Sequence, residues 1–290
     1  MVNTNWTKYR VLVTNKCNYR CPFCHNEGQE KQQKTDLMSL ENFKKLVDML
    51  ASEGIEEFNI SGGEPFVNKH IVDMIEYADS QLTCDISCAT NLSLIQLEQI
   101  ERLAKTRIKF NIQFPFVTEE AFQGSTGNGN LTDVLRKIQV VRKANIKIGL
   151  NTVIQNGNAE DYEQMIMFAI ENELPLKLLP QIGGKDSDKY KQFITPVLVK
   201  HSVEFKNKGC GALKWVLEKD GHRTTVLYID SPCFYHDIET CRNFAEIRIH
   251  PDLSAQTCIL KESSEPLCFE KGNTFVKNQL QELWNDFTTC

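Results

Sequence analysis

Short apolar runs of strand length alternate along the first part of the chain with segments whose apolar residues recur every three or four positions. Six runs have strand character: Tyr9 to Thr14, Ile55 to Ser61, Thr83 to Ala89, Arg107 to Gln113, Ile146 to Val153 and Leu176 to Pro180. Between the first two, Ser39 can cap a helix that shows Leu40, Phe43, Leu46, Val47 and Leu50 on one face and ends near Gly54. Similar stripes follow at Ile71, Met74, Ile75 and Ala78; at Leu94, Leu97, Ile100 and Leu103; at Val134, Leu135, Ile138 and Val141; and at Tyr162, Met165, Ile166 and Ala169. All of these read as core packing. Strand and helix in alternation predict parallel strands joined by helical crossovers. Six such repeats predict an α/β fold, an open partial TIM barrel of the (β/α)6 kind, with ligands at the carboxyl ends of its strands.

After Pro180 the alternation stops. Gly183-Gly184 and the polar stretch to Asp188 mark a boundary, which divides the chain into a barrel domain, residues 1–182, and a small cysteine-rich domain, residues 183–290. There, Ala245 to Ser254 reads as a strand entering a turn at Pro251-Asp252, and Ala255 to Leu260 as the return strand. This hairpin brings Cys241 and Cys258 near one end.

The 290 residues, 41% of them hydrophobic, suffice for a large domain with a smaller appendage. No apolar run is long enough to span a membrane, and the start at Met1 to Trp6 lacks a charged-then-apolar signal segment, so a cytoplasmic protein with no membrane partner is expected. A net charge of −5 provides no field for a nucleic-acid partner. Lys31, Lys34, Lys44, Lys45, Arg102, Lys105, Arg107 and Lys109 are scattered among acids and read as solvated faces. Eleven cysteines without an export signal argue against a disulfide framework and for metal.

Cys17, Cys21 and Cys24 lie in a loop leaving the first strand, within Cys-Asn-Tyr-Arg-Cys-Pro-Phe-Cys. A four-iron cluster usually takes four thiolates, so a compact trio leaves one iron free to bind something else. The same spacing with His25 suits a structural zinc, although His25 directly follows Cys24 and is poorly placed to chelate the same tetrahedral ion. Spacing alone leaves both readings open. A second motif, Ser61-Gly62-Gly63-Glu64-Pro65, ends the second strand and shares one rim with the cysteine loop. Thr90 and Asn91, Asn111 and Gln113, Asn151 with Thr152, and Pro180-Gln181 fall at or near other strand ends, where polar residues serve as turn formers as readily as ligands.

The run from Thr14 through Cys17, Cys21, Phe23 and Cys24 to Gly28, with the Gly-Gly-Glu-Pro loop about forty residues on, resembles the signature of the radical S-adenosylmethionine (SAM) superfamily. The Gly28 ending is similar to the branch containing the molybdenum-cofactor GTP cyclase. The resemblance implies a [4Fe-4S] cluster on Cys17, Cys21 and Cys24 whose open iron chelates SAM, and reductive cleavage to methionine and a 5′-deoxyadenosyl radical. It implies a low-potential electron donor such as flavodoxin or ferredoxin. It also assigns SAM contacts: the Gly62-Gly63 backbone and Glu64 to the methionine ammonium, with Pro65, Thr90 and Asn91 among the cofactor-binding residues. Asn111 or Gln113 would meet the ribose, Asn151 the carboxylate or ribose, and Phe23 with its neighbours the adenine. The stretch Phe110 to Pro115 departs from the serine and aspartate usual in relatives.

The second cysteine group resembles the twitch or SPASM modules that carry an auxiliary cluster, and the run from Gly272 to Trp284 is similar to their closing helix. Without a tight Cys-x2-Cys pair the shorter, single-cluster form is expected, on Cys233, Cys241, Cys258 and Cys268, with Cys210 in reserve. Cys84 and Cys88 read as core residues and Cys290 as a terminal thiol. The wider spacing of Cys233 and Cys241 and the ending Asp286 to Cys290 differ from the cyclase branch and weigh against GTP itself. The expected substrate is a small biosynthetic metabolite (a nucleoside, nucleotide or sugar). A ribosomally made peptide is the alternative, and a zinc-stabilised, non-catalytic binding protein is the alternative of another class.

Overall fold

The computed structural model describes residues 5–24, 37–155, 158–182, 189–209, 211–244, 246–261 and 263–289. His25, Gly28, Lys31, Lys34, Gly183, Gly184, Cys210, Ala245 and Cys290 lie outside the described residues. The first 180 residues form β1 (Lys8–Leu12), α1 (Leu40–Leu50), β2 (Glu57–Ser61), α2 (Ile71–Gln81), β3 (Asp85–Thr90), α3 (Leu97–Leu103) and β4 (Lys109–Gln113). They continue with α4 (Glu119–Thr126), α5 (Leu131–Lys143), β5 (Lys147–Ile154), α6 (Ala159–Glu171) and β6 (Leu176–Pro180). The six strands run parallel in sequential order, as the alternation predicts for an open barrel.

Boundaries move where other contacts take over the backbone. The predicted first strand extends to Thr14, but β1 ends at Leu12 because Val13 and Thr14 turn to meet Leu37 and Met38. Ser39 caps α1 through Oγ, which accepts from the Asn42 N–H at 3.1 Å. Helix α4 was not foreshadowed by periodicity: in Glu-Glu-Ala-Phe-Gln-Gly-Ser-Thr only Phe122 is a large apolar side chain to bury. Of the basic residues read as solvated faces, Lys45 pairs with Glu41, Arg102 with Asp73 and Glu76, and Arg107 with Asp79.

The remainder comprises α7 (Tyr190–His201), β7 (Ser202–Asn207), β8 (Ala212–Lys219), β9 (His222–Ile229), α8 (Ile238–Phe244), β10 (Ile247–Ile249), β11 (Ser254–Gln256), β12 (Glu265–Pro266) and α9 (Asn273–Asp286). A partial barrel leaves two open strand edges, and an open edge invites pairing. Here both are extended. β9 pairs parallel to β6 and carries β8 and β7 beyond it, and β10 pairs parallel to β1 and carries β11 and β12, giving one sheet of twelve strands among the described residues. The β10–β11 hairpin has shorter strands than predicted, closed by the His250 N–H on Ser254 O and the Leu253 N–H on His250 O.

Helix-facing positions build the core. Phe58 of β2 meets Phe43 of α1 edge-on at 5.9 Å, and Tyr9, Val11, Phe58, Ile60, Phe110 and Ile112 are all fully buried on that side. Helix α9 closes the amino-terminal end of the barrel: Trp6 Nε1 donates to Leu280 O at 2.9 Å, and its ring packs edge-on against Trp284 at 4.7 Å. Among the described residues no helix is long and apolar enough to cross a membrane.

Candidate active site

β1 delivers the chain into the cysteine loop, and three neighbouring segments hold that loop. The Gly63 N–H donates to Thr14 O at 2.9 Å and the Glu64 N–H to Lys16 O at 2.8 Å, so the loop after β2 lies directly beneath the one after β1. Only glycine permits this approach. A Cβ on Gly62, whose φ is +135°, would sit 2.4 Å from Thr14 O, and one on Gly63 would sit 2.2 Å from Lys16 O. From the other side the Arg20 N–H donates to Thr126 O at 2.9 Å, and Asn128 Nδ2 to Asn18 O at 2.9 Å. Asn18 is also fixed by side chains, accepting from Asn91 Nδ2 at 2.9 Å and donating to Ser93 Oγ at 2.8 Å.

The charge of Cys24 acts on both of the other thiols of the loop, and that of Cys17 acts on Cys21. Burial pushes Cys17 up to about 11, with Glu64 and Cys24 adding to it against the Tyr19 N–H. Cys21 goes up to about 12 from burial, then from Cys17 and Cys24. Such thiols hold their protons at neutral pH until a metal displaces them. Among the described residues no three His, Cys, Asp or Glu side chains are grouped so as to hold a single metal ion.

Glu64 is 1% exposed, and its carboxylate joins three elements. Oε1 accepts from Thr90 Oγ1 at 2.7 Å and from the Phe66 N–H at 3.1 Å, the latter capping the short 3-10 turn Pro65–Val67; Oε2 accepts from the Asn91 N–H at 2.7 Å. Burial nonetheless outweighs these donors and lifts the carboxyl to about 7. The position suits an incoming cation.

Thr90 and Asn91 therefore meet Glu64, and Pro65 is buried in the same turn. Phe23 is buried in the cysteine loop. Gln113 and Asn151 are in register on adjacent strands, and Asn111 lies two residues before Gln113 on the same face. Gln113 Nε2 is buried without a hydrogen-bond partner among the described residues, a donor available to a ligand. The vicinal thiols, the glycine cradle, the buried carboxylate and this amide together fit a metal-sulfide centre beside a polar cosubstrate with a cationic group.

Cys233 in the 3-10 turn Pro232–Tyr235 and Cys241 in α8 come together: the hydrogen bond from Cys241, followed by Ser231, holds Cys233 down to about 6 despite burial. Cys258 follows β11 and lies near Arg248, and Cys268 precedes the turn into α9, its N–H donating to Gln279 Oε1 at 2.9 Å. Cys84 and Cys88 are buried.

The barrel interior holds a row of residues that motif reading passed over. Opposite the helix-packed face, Arg248, Arg10, Asn59 and Ser87 are in register across β10, β1, β2 and β3. Arg10 pairs with Glu246, Asn59 Nδ2 donates to Glu246 Oε2 at 3.2 Å, and Ser87 Oγ donates to Asn59 Oδ1 at 2.6 Å. Lys177 of β6 is in register with Asn151, and its pKa is lowered by burial, then by the charges of Arg10 and Lys109. Arg248 is likewise pushed down by burial and then by Arg10. The signal was present as polar residues at alternate positions of apolar strands, Tyr9-Arg10-Val11, Leu176-Lys177-Leu178 and Ile247-Arg248-Ile249.

Comparison with known proteins bears on this rim directly. The radical SAM superfamily matches residues 11–169, more than half of the chain. The chain is 29% identical to a GTP 3′,8-cyclase of Clostridium perfringens over 94% of its own length and 87% of the relative's. It is 27% identical to a probable GTP 3′,8-cyclase of Thermococcus kodakarensis over 89% of its length and 86% of that protein's. Among solved structures, Streptococcus suis SuiB bound to S-adenosylmethionine superposes with a TM-score of 0.71 at 14% identity, over 97% of this chain and 66% of SuiB, so the chain spans just under two thirds of that protein. With the cysteine loop, the glycine cradle and the six parallel strands at one rim, these matches place the chain in the radical SAM superfamily as an iron-sulfur enzyme that uses S-adenosylmethionine.

Proposed function

We propose that the enzyme generates its radical at the Cys17, Cys21 and Cys24 cluster and uses it to abstract hydrogen from a small anionic metabolite, nucleotide-like in kind. When bound, the reduced cluster supplies the electron that splits SAM into methionine and a 5′-deoxyadenosyl radical. Glu64 would balance the methionine ammonium, whose charge compensates a carboxylate that burial otherwise holds near neutrality. Gln113, with Asn111 and Asn151 on the same face, would bind the ribose and carboxylate, and the Phe23 segment the adenine. Residues 1–182 would form this radical-generating part. Cys233, Cys241, Cys258 and Cys268 in residues 183–290 would hold an auxiliary cluster facing the substrate, and a small low-potential protein such as flavodoxin or ferredoxin would supply electrons.

The observation that carries the substrate class is the convergence of Arg10, Lys177 and Arg248 on the barrel interior of a chain whose net charge is −5. Arg10 is already paired with Glu246, yet three cations gathered in a low-dielectric interior still favour the arrival of a further anion. The relatives named as GTP cyclases act on a nucleotide, in line with this reading. SuiB has also been solved bound to the precursor peptide SuiA, and the fold likeness to it is what stands behind the alternative of peptide maturation.

The test is anaerobic turnover of the reconstituted enzyme with reductant, SAM and panels of nucleoside triphosphates, sugar phosphates and peptides deuterated at carbon. Deuterium transfer into 5′-deoxyadenosine from a phosphorylated metabolite is the expected result. Transfer from a peptide alone would favour the second reading.

A further inference from the structure

The twelve-stranded sheet ends at β7, and its outer edge is unlike the rest of the surface. Every residue from Glu204 to Asn207 is exposed, and Val199 in α7 and Val203 and Phe205 on the edge strand are 56%, 55% and 50% exposed. Phe205 packs against the ring of Trp215, its cross-strand partner on β8, at 4.3 Å. An edge strand has one row of backbone N–H and C=O groups facing outward, a template for another strand. The register shift between Ser202 and Glu204 confines regular pairing to Glu204–Asn207.

We infer that this edge pairs with the same edge of a second copy of the chain, antiparallel about a two-fold axis through Phe205, so that two sheets become one. In that register Phe205 faces its own counterpart, and Glu204 of each copy stands directly opposite Lys206 of the other, giving two cross-strand ion pairs. The neighbouring registers that keep the faces aligned set Glu204 against Glu204 or Lys206 against Lys206. A slip by one residue sets Glu204 against Phe205. The sequence Val-Glu-Phe-Lys-Asn is therefore self-complementary in one register and repulsive in those beside it, which selects a second copy over an arbitrary extended peptide.

Sedimentation velocity on the anaerobically reconstituted full chain at micromolar concentrations tests this. A species of twice the 33.3 kDa chain mass is expected. Glu204→Lys and Lys206→Glu should each weaken dimerisation by about tenfold or more, because each places two like pairs across the axis. The double exchange E204K/K206E restores opposite charges and should restore the dimer. Both side chains are exposed, and circular dichroism of each variant will show whether the fold is intact. A wild-type monomer, a dimer indifferent to the single reversals, or a double exchange that stays monomeric would each overturn the inference.

Discussion

Thr90 Oγ1 donates to Glu64 Oε1 across 2.7 Å, tying the end of the third strand to the loop after the second. That loop in turn holds the cysteine loop after the first strand, through Gly63 to Thr14 and Glu64 to Lys16. Three adjacent strand ends are thereby locked in series, with the carboxylate at the centre. The geometry of the three thiols depends on a residue far from them in sequence.

Thr90→Val removes this donor while nearly preserving shape. Loss of this bond to a buried carboxylate, together with the acceptor for the Leu92 N–H at 2.9 Å, should destabilise the fold by roughly 1–3 kcal/mol. Thermal unfolding followed by circular dichroism will measure it. An unchanged midpoint would mean that the Thr90 hydroxyl contributes nothing.

Glu64 also sets a pH dependence. Its pKa is raised from 4.5 to about 7 in the fold. Over that window the folded protein keeps a proton that the unfolded chain has lost, so the stability contributed below pH 4.5 is lost as pH rises through about 7, an effect on the order of 3 kcal/mol. A cationic ligand works the other way, since it prefers the ionised carboxylate. SAM affinity should fall as pH drops below about 7. Calorimetry across this range will show the slope in the wild type and its loss in Glu64→Gln.

Gly63→Ala should displace the cysteine loop, because the new methyl would meet Lys16 O at 2.2 Å. A strain of roughly 1–3 kcal/mol is expected, accompanied by lower iron incorporation during reconstitution. Gly54→Ala, where nothing lies within 4 Å, is the control that should bind iron as the wild type does.

The six strands and their shared rim were readable because each strand is a compact apolar run and each crossover helix carries a full stripe. β7 to β9 were not. Their residues alternate weakly, β7 is almost wholly exposed, and the one strong signal is the tight turn Asp220-Gly221, whose φ values of +52° and +84° suit a two-residue hairpin. Cysteine spacing and the Gly-Gly-Glu-Pro loop pointed to the site itself. The supports Asn18, Thr126 and Asn128, and the inward row of Arg10, Asn59 and Ser87, depend on contacts between distant segments that no local pattern encodes.

Lys177→Gln tests the anionic substrate. Removing one inward cation should raise KM for a phosphorylated substrate by on the order of tenfold, as loss of a charge-assisted contact does. Deoxyadenosine release without substrate should be unaffected, and an unchanged KM would count against the interior as the anion site.

The central claim is that Cys17, Cys21 and Cys24 jointly hold the centre that cleaves SAM, and it is tested most directly by 5′-deoxyadenosine release from anaerobically reconstituted protein with reductant. Wild type should bind iron and release deoxyadenosine, and Cys17→Ala, Cys21→Ala and Cys24→Ala should each abolish release, while Cys241→Ala keeps it. Iron-free wild type, or release that survives loss of any of the three, would contradict the account.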